Sequence, residues 1–520
     1  MTEAALDPGR AVLRAMLERH AEERGDETFV HFHGGPVWSY AEVLERVQRR
    51  AAALRAEGVK QGDPVLTFLG NGPDLLVSWF AINYLGAVYV PVNTALLGGA
   101  LAHILADAGA RVMVARPDLA ARLAEVETGT VDTVLLVEGD AVPDLPLECR
   151  ALMDGAAEAI PLERPIMPWD TQAIMYTSGT TGRAKGVLSS YTQLYTMGPD
   201  AFDCVGPDDR CMICGPIFHC GSTLYVYAML ARGLSIGMMA EFKTDQFWPA
   251  VRETGSTYAL LLGVMASFLL KAPEDAGDRD HPLTHVFIVP FGEDGPAFAA
   301  RFGVDVYTIY NMTEISSPMH AGPGITEKGL AGVLRPWMEA RVVDENDIEV
   351  PRGAAGELVL RSSRPWALMQ GYLNRPEATA EAMRNGWFHT GDSFRQDEAG
   401  RFFFVDRAKD VIRRRGENIS SFALEGEVLA HEDVRECAAV AVPSEHTEDD
   451  VLIVVTPVEG RAVDPAALIT WLEGRVPRFM LPQYVRVMDD LPKTASGKVQ
   501  KHVLRSEGVT TECWARGARR

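Results

Sequence analysis

Residues 176–187 read YTSGTTGRAKGV, and these are residue types that hold a phosphate. Hydroxyls and glycines follow one another from Thr177 through Ser178, Gly179, Thr180 and Thr181 to Gly182, and Arg183 and Lys185 come directly behind them. Glycine lets backbone N–H groups approach an oxyanion closely and adopt positive φ, hydroxyls add short donors, and a lysine brings a mobile point charge. The apolar run Thr171 to Tyr176 predicts a strand entering the loop, and strand, glycine loop, lysine is a phosphate-cradling order. A Walker loop is excluded because it spaces its glycines by four residues, whereas Gly179 and Gly182 are separated by two. Ser178 lacks the G-x-S-x-G surroundings of a hydrolase nucleophile. A bland Gly/Ser/Thr surface loop does not account for the two basic residues behind the glycines.

Four further stretches carry groups that could act on such a phosphate. Val304 to Pro318 reads VDVYTIYNMTEISSP; a strand ending at Tyr310 would deliver Thr313 and Glu314 to its carboxyl end, where parallel sheets place ligand groups. Gly386 to Asp392 (GWFHTGD) ends on an aspartate, a two-oxygen acceptor suited to vicinal hydroxyls. Asp406 to Ser421 (DRAKDVIRRRGENISS) marks a shift from apolar to charged composition, and the domain boundary is placed there. Leu491 to Lys501 (LPKTASGKVQK) presents Lys498 behind a Ser-Gly turn. The Cys211–Cys214 pair invites a zinc reading, but no second spaced pair completes a tetrahedral set, and Cys211 to Ile217 reads as a buried strand in which cysteine is a small hydrophobe.

The elements that must position these groups alternate. A helix from Ala41 to Glu57 precedes strand Val65 to Leu69, helix Pro73 to Tyr84 and strand Val88 to Pro91, a βαβ unit that implies a parallel sheet. The pattern continues with helix Ala100 to Ala108, strand Arg111 to Ala115, helix Leu119 to Val126 and strand Thr133 to Val137; Gly139 to Pro168 reads as an acidic connection. Leu261 to Leu270 reads as a Leu/Met helix. Beyond residue 421 the pattern is helix Leu424 to Ala430, strands Glu436 to Val442 and Val451 to Pro457, helix Pro465 to Gly474 and strand Tyr484 to Met488. The expected fold class is α/β, with a large multi-subdomain N-terminal region (1–408) of parallel and mixed sheets flanked by helices, and a small mobile C-terminal α/β domain (409–520).

Composition narrows the partners. A net charge of −21 over 520 residues argues against a nucleic-acid face, and the longest basic cluster, Arg413 to Arg415, reads as a solvated loop edge. The longest apolar candidate, Thr257 to Leu270, falls short of the roughly 20 residues of a membrane span, and the first residues alternate in charge where a secretory signal would be apolar. No membrane partner and a cytoplasmic location are expected. Seven cysteines fit reduced thiols better than a disulfide framework.

Taken together, the loop, the strand carrying Thr313 and Glu314, GWFHTGD and P-K-T-x-S-G-K resemble the motifs of the adenylate-forming superfamily of acyl-CoA synthetases, adenylation domains and luciferases, in order over roughly residues 30 to 505. The subfamily it looks most like is the crotonobetaine/carnitine-CoA ligases. The resemblance implies ATP, Mg²⁺ and coenzyme A, and a small carboxylic acid substrate. It implies that Thr177 to Gly182 and Lys185 hold the phosphates, that Tyr310 stacks near the adenine beside Asn311, that Thr313 touches the α-phosphate, and that Glu314 holds Mg²⁺. Asp392 would accept the ribose hydroxyls, Arg407 would contact ribose or phosphate, Lys409 would be the hinge, and Gly416, Glu417 and Asn418 would line the CoA tunnel. Lys498 would bridge the acyl carboxylate and the α-phosphate, and His219, in GPIFHCG, would lie between the acyl pocket and the nucleotide. Phe218, Met265, Asn311 and Met312 would line the acyl pocket.

Departures from the family pattern are Ala184 for proline in the loop, Asn311 for glycine, PFGEDGP at 290–296 in place of the usual adenine loop, and Arg415 for a second glycine. The expected activity is an ATP-dependent acid:CoA ligase working through acyl-AMP, with Asn311 favouring a small or polar acid. Alternatives are transfer of the acyl group to a carrier protein or to a nitrogen nucleophile, a luciferase-type oxygenase, and a non-catalytic nucleotide-binding protein; a homodimer stays open.

Overall fold

Apolar runs bounded by glycine and proline decide where the strands fall. The computed structural model describes residues 6–137, 143–177, 184–199, 201–202, 204–292, 294–407, 410, 412–414, 417–444, 449–473, 475–476, 478–494 and 497–516. They divide into two compact units. One gathers the described residues up to 177 with 184–339 and 360–388; the other gathers 340–359 and the described residues from 389 onward.

The first unit holds two sheets. In one, the strands run in the order Gly371–Tyr372, Lys185–Ser190, Thr171–Thr177, Val88–Pro91, Pro64–Phe68, Val112–Ala115, Thr133–Leu136 and Glu148–Ala151. From Thr171–Thr177 to Glu148–Ala151 neighbours are parallel, and the two strands at the opposite edge are antiparallel. In the other, Asp305–Met312, His285–Val289, Tyr258–Leu262, Arg210–Ile213, Ser235–Met238 and Thr28–Phe32 are parallel neighbours in that order. Ser316–Ala321 then adds antiparallel to Asp305–Met312.

Two helices, Pro73–Tyr84 and Cys220–Arg232, are buried all round: every residue from Leu75 to Tyr84 and from Ser222 to Leu230 is inside. Helices apolar on every face belong between layers, and both contribute to one core with residues of both sheets. Helix Tyr40–Ala56 starts on a capping box, in which Ser39 Oγ accepts the Glu42 N–H at 3.3 Å and Glu42 Oε2 accepts the Ser39 N–H at 2.8 Å. Such a cap contributes about 1 kcal/mol.

In the second unit, Phe388–Gln396 pairs antiparallel with Phe402–Arg407, and Val434–Pro443, Asp449–Pro457, Tyr484–Val487 and Trp514–Ala515 form a separate sheet. Helices Ser421–Leu429 and Pro465–Leu472 contribute to one core on this sheet, and Leu504, from helix Lys501–Glu507, to a second. A buried carboxylate ties three of these elements. Glu425 Oε1 accepts the Ala439 N–H at 2.6 Å and lies 2.8 Å from Lys501 Nζ, which also donates to Ser421 Oγ at 2.6 Å.

The structure corrects the sequence reading in places. Leu261 and Leu262 close a strand, and the helix runs Gly263–Lys271. The strand at Cys211 ends at Ile213, ahead of Pro216. Asp305–Met312 runs two residues past Tyr310. Leu119 to Val126 is largely the tight 3-10 turn Ala121–Glu125, and the acidic connection contains the strand Glu148–Ala151.

Candidate active site

The parallel strands Arg210–Ile213, Tyr258–Leu262, His285–Val289 and Asp305–Met312 lie side by side, so whatever follows their carboxyl ends lies along one edge. After the first come Phe218 and His219, whose rings are 5.0 Å apart, with His219 capping the helix Cys220–Arg232. After the second comes helix Gly263–Lys271 with half-buried Met265. The last ends with Tyr310, Asn311 and Met312 and passes into Thr313 and Glu314. Tyr310 is buried, and its hydroxyl donates to Met312 Sδ at 3.2 Å. Both neighbours of Asn311 are thereby engaged with each other.

Thr313 is held from both ends. Its Oγ1 donates to Cys220 Sγ at 3.1 Å, and its carbonyl accepts from Gln193 Nε2 at 2.8 Å; Gln193 is fully buried on helix Tyr191–Met197. Glu314 is 7 % exposed, its carbonyl accepts the Met369 N–H at 2.8 Å, and its Oε1 accepts the hydroxyl of Tyr372 at 3.0 Å. Lys185 Nζ lies 4.7 Å from the centroid of that same tyrosine ring. Burial, and then the charge of Glu314, push the Tyr372 hydroxyl well above its ordinary pKa, so it stays a donor.

Of the phosphate loop, Ser178, Gly179, Thr180, Thr181 and Gly182 lie outside the described residues, as do Lys409 and Gly416 and the side chains of Arg407, Glu417 and Asn418. The loop's two ends are described. Thr177 and Lys185 face each other across the antiparallel pair. Tyr176 donates its hydroxyl to Asp107 Oδ2 at 3.0 Å, and His103 Nε2 donates to the Ala184 carbonyl at 2.8 Å. Both anchors come from one helix, Gly98–Ala108. Asp107, 7 % exposed at its side chain, also pairs with Arg375 at 3.2 Å.

In the second unit, Asp392 is buried and stands directly across the strand pair from Arg407. Its strand is braced by Glu357, whose Oε1 accepts the Gly391 N–H at 3.0 Å and whose Oε2 accepts His389 Nδ1–H at 3.0 Å. Lys498 is exposed in a turn closed by Thr494: Lys498 N donates to Thr494 Oγ1 at 3.1 Å, and the Thr494 N–H donates to the Lys498 carbonyl at 2.7 Å. Cys211 and Cys214 are buried, which pushes the first thiol well up and the second to about 12; both stay protonated.

Residues 17–373 match the family model described as AMP-binding enzyme, and 423–498 match that of the AMP-binding enzyme C-terminal domain. The chain belongs to the AMP-binding enzyme family. Within it, the chain is 31% identical over 511 residues to a crotonobetaine/carnitine–CoA ligase of Citrobacter koseri, covering 95% of this chain and 98% of that one. It is 33% identical over 516 residues to a feruloyl-CoA synthase of an Amycolatopsis species, covering 95% and 97%. Among solved structures, ATP-bound MatB of Rhodopseudomonas palustris superposes with a TM-score of 0.81 at 28% identity, over 95% of this chain and 98% of that one.

Sequence reasoning named the candidate groups but not the residues that hold them. Gln193, Cys220, His103, Asp107 and Glu357 lie far in sequence from what they touch. Tyr372 lies 58 residues from Glu314, and no local pattern marks it.

Proposed function

We infer that this chain is an ATP-dependent acid:CoA ligase: a carboxylate attacks the α-phosphorus of ATP, giving acyl-AMP and pyrophosphate, and the thiol of CoA then displaces AMP. What carries this reading is the chain of contacts from Glu314, next to Thr313 at the end of a strand of one sheet, through Tyr372 to Lys185 on neighbouring strands of the other, in a chain whose relatives over nearly their whole length are acid–CoA ligases. Thr313, its backbone held by Gln193, turns its hydroxyl proton from Cys220 to the α-phosphate. Lys185 and the loop before it stabilise the charge that develops on the phosphates, and Lys498 bridges the acid and the α-phosphate. Asp392 holds the ribose, with Arg407 beside it.

Glu314 suits a hard divalent cation, being a buried oxygen donor already oriented by Tyr372. Magnesium bound there would neutralise charge on the phosphates. A small domain of residues 409–520, bearing Lys498, turns about Lys409 at the end of a large domain of residues 1–408; Lys498 withdraws, and Gly416, Glu417 and Asn418 approach as the pantetheine route. Phe218, Met265, Asn311 and Met312 set the acyl pocket, with His219 between it and the nucleotide, and Asn311 favours a small or polar acid. Among the described residues no helix is long and apolar enough to cross a membrane.

The test is pyrophosphate exchange into ATP with short, hydroxy, amino and aryl acids, followed by mass spectrometry with and without CoA. Acid-dependent exchange with a CoA thioester is the expected result. Exchange without thioester would remove CoA as acceptor, and no exchange with any acid would remove the ligase.

A further inference from the structure

Tyr372 touches two groups that the proposed reaction needs, and it does so with different parts of one side chain. Its hydroxyl is 3.0 Å from Glu314 Oε1, and its ring face lies 4.7 Å from Lys185 Nζ. The backbone explains why it can reach both. Tyr372 pairs with Val187 and Gly371 with Leu188, so its strand is laid against the one that leaves the phosphate loop. Gly371 takes φ +145°, which a side chain resists, and Thr379 Oγ1 accepts the Tyr372 N–H at 2.9 Å. Three residues earlier, the Met369 N–H donates to the Glu314 carbonyl at 2.8 Å. The segment 369–372 is therefore stitched to the Glu314 backbone at one end and to the loop-exit strand at the other.

We propose that Tyr372 is a positioning residue of the nucleotide site: its hydroxyl fixes the Glu314 carboxylate in the orientation that receives the cation of the nucleotide, and its ring seats Lys185. The proposal rests on the reading of Glu314 as the cation-holding carboxylate. A neutral hydroxyl suits this task because it orients a carboxylate without cancelling its charge, whereas a cationic donor would compete with the metal. The aromatic face offers the ammonium a resting place that leaves its N–H donors directed elsewhere. One side chain thus couples the geometry of the metal-binding carboxylate to that of the loop lysine.

The experiment measures binding of the α,β-methylene analogue of ATP to the full chain by calorimetry, in Mg²⁺ and in EDTA. Tyr372→Phe keeps the ring and loses the hydroxyl; Tyr372→Leu loses both; Glu314→Gln removes the carboxylate charge. Wild type is expected to gain affinity on adding Mg²⁺, Tyr372→Phe to lose about tenfold of that gain while keeping its affinity in EDTA, and Tyr372→Leu to bind more weakly in EDTA as well. Combining Tyr372→Phe with Glu314→Gln should add nothing to Glu314→Gln alone. If Glu314→Gln shifts the Mg²⁺ gain and Tyr372→Phe does not, this proposal is wrong and the cation assignment stands. If Glu314→Gln leaves the gain unchanged, both fall. Matching thermal unfolding midpoints for the variants exclude a folding defect.

Discussion

Glu357 grips His389 and the residue two further along the same strand: Oε2 accepts from His389 Nδ1 and Oε1 from the Gly391 N–H, each at 3.0 Å. The next residue is Asp392, so the aspartate that should hold the ribose inherits its position from a glutamate 35 residues upstream. Glu357→Ala should raise the KM for ATP roughly 3- to 30-fold and leave the KM for the acid unchanged, measured by pyrophosphate exchange with each substrate varied in turn. Equal changes in both would mean a general loss of fold.

Lys498 stands exposed on a turn held by Thr494, as a group brought to its partner by motion should. Lys498→Ala is expected to slow acyl-AMP formation about 100- to 1,000-fold, the scale of a lost charge-stabilising donor. Thioester formation from acyl-AMP supplied ready-made should be nearly unaffected. A Lys498→Ala protein that exchanges pyrophosphate at the wild-type rate would remove this residue from the first half-reaction.

Asp107 and His103 hold the two ends of the phosphate loop from one helix. Asp107→Asn weakens the bond from Tyr176 and the pair with Arg375, and His103→Ala frees the Ala184 carbonyl. Each should cost about 1–2 kcal/mol in the binding of ATP with little effect on the acid. Calorimetry with ATP and with the acid separately reads the difference, and acid binding that falls in parallel would sink the idea of a loop-specific anchor.

His20 is buried against Tyr40, with ring centroids 5.3 Å apart, and burial, aided by Arg19 and Arg24, lowers its pKa from 6.5 to about 4. The unfolded chain therefore binds a proton between those values that the folded chain refuses. Stability from this group is complete above about 6.5 and is lost as the pH falls toward 4. Thermal unfolding midpoints should drop over that window, and His20→Gln should flatten part of the drop; an unchanged slope would show that His20 does not titrate as argued.

How much of this was legible beforehand follows from how local each signal is. Helix Pro73–Tyr84 and strand Val88–Pro91 fall where the apolar pattern put them, because proline starts one and the turn at Gly86 precedes the other. Asp305–Met312 carries Thr313 and Glu314 to the sheet edge as a parallel strand should. Glu148–Ala151 was hidden because it is an edge strand with no buried residue and so lacks an apolar pattern. The bonds from Gln193 to Thr313 and from Tyr372 to Glu314 span 120 and 58 residues, and no local pattern encodes such a meeting. The gathering of 340–359 with the chain beyond 389 is non-local in the same way.

Glu425 meets Ala439 and Lys501, so the final helix Lys501–Glu507 is bound into the small unit by a buried charge pair as well as by Leu504. Without that helix the small unit lacks both contacts. A protein cut just after Lys498 would still carry its reactive ammonium group, yet Glu425, left with the Ala439 N–H, would lose the cation that offsets its burial, a defect that costs about 3–5 kcal/mol. Such a fragment should unfold more readily than the full chain and be cut faster by proteases.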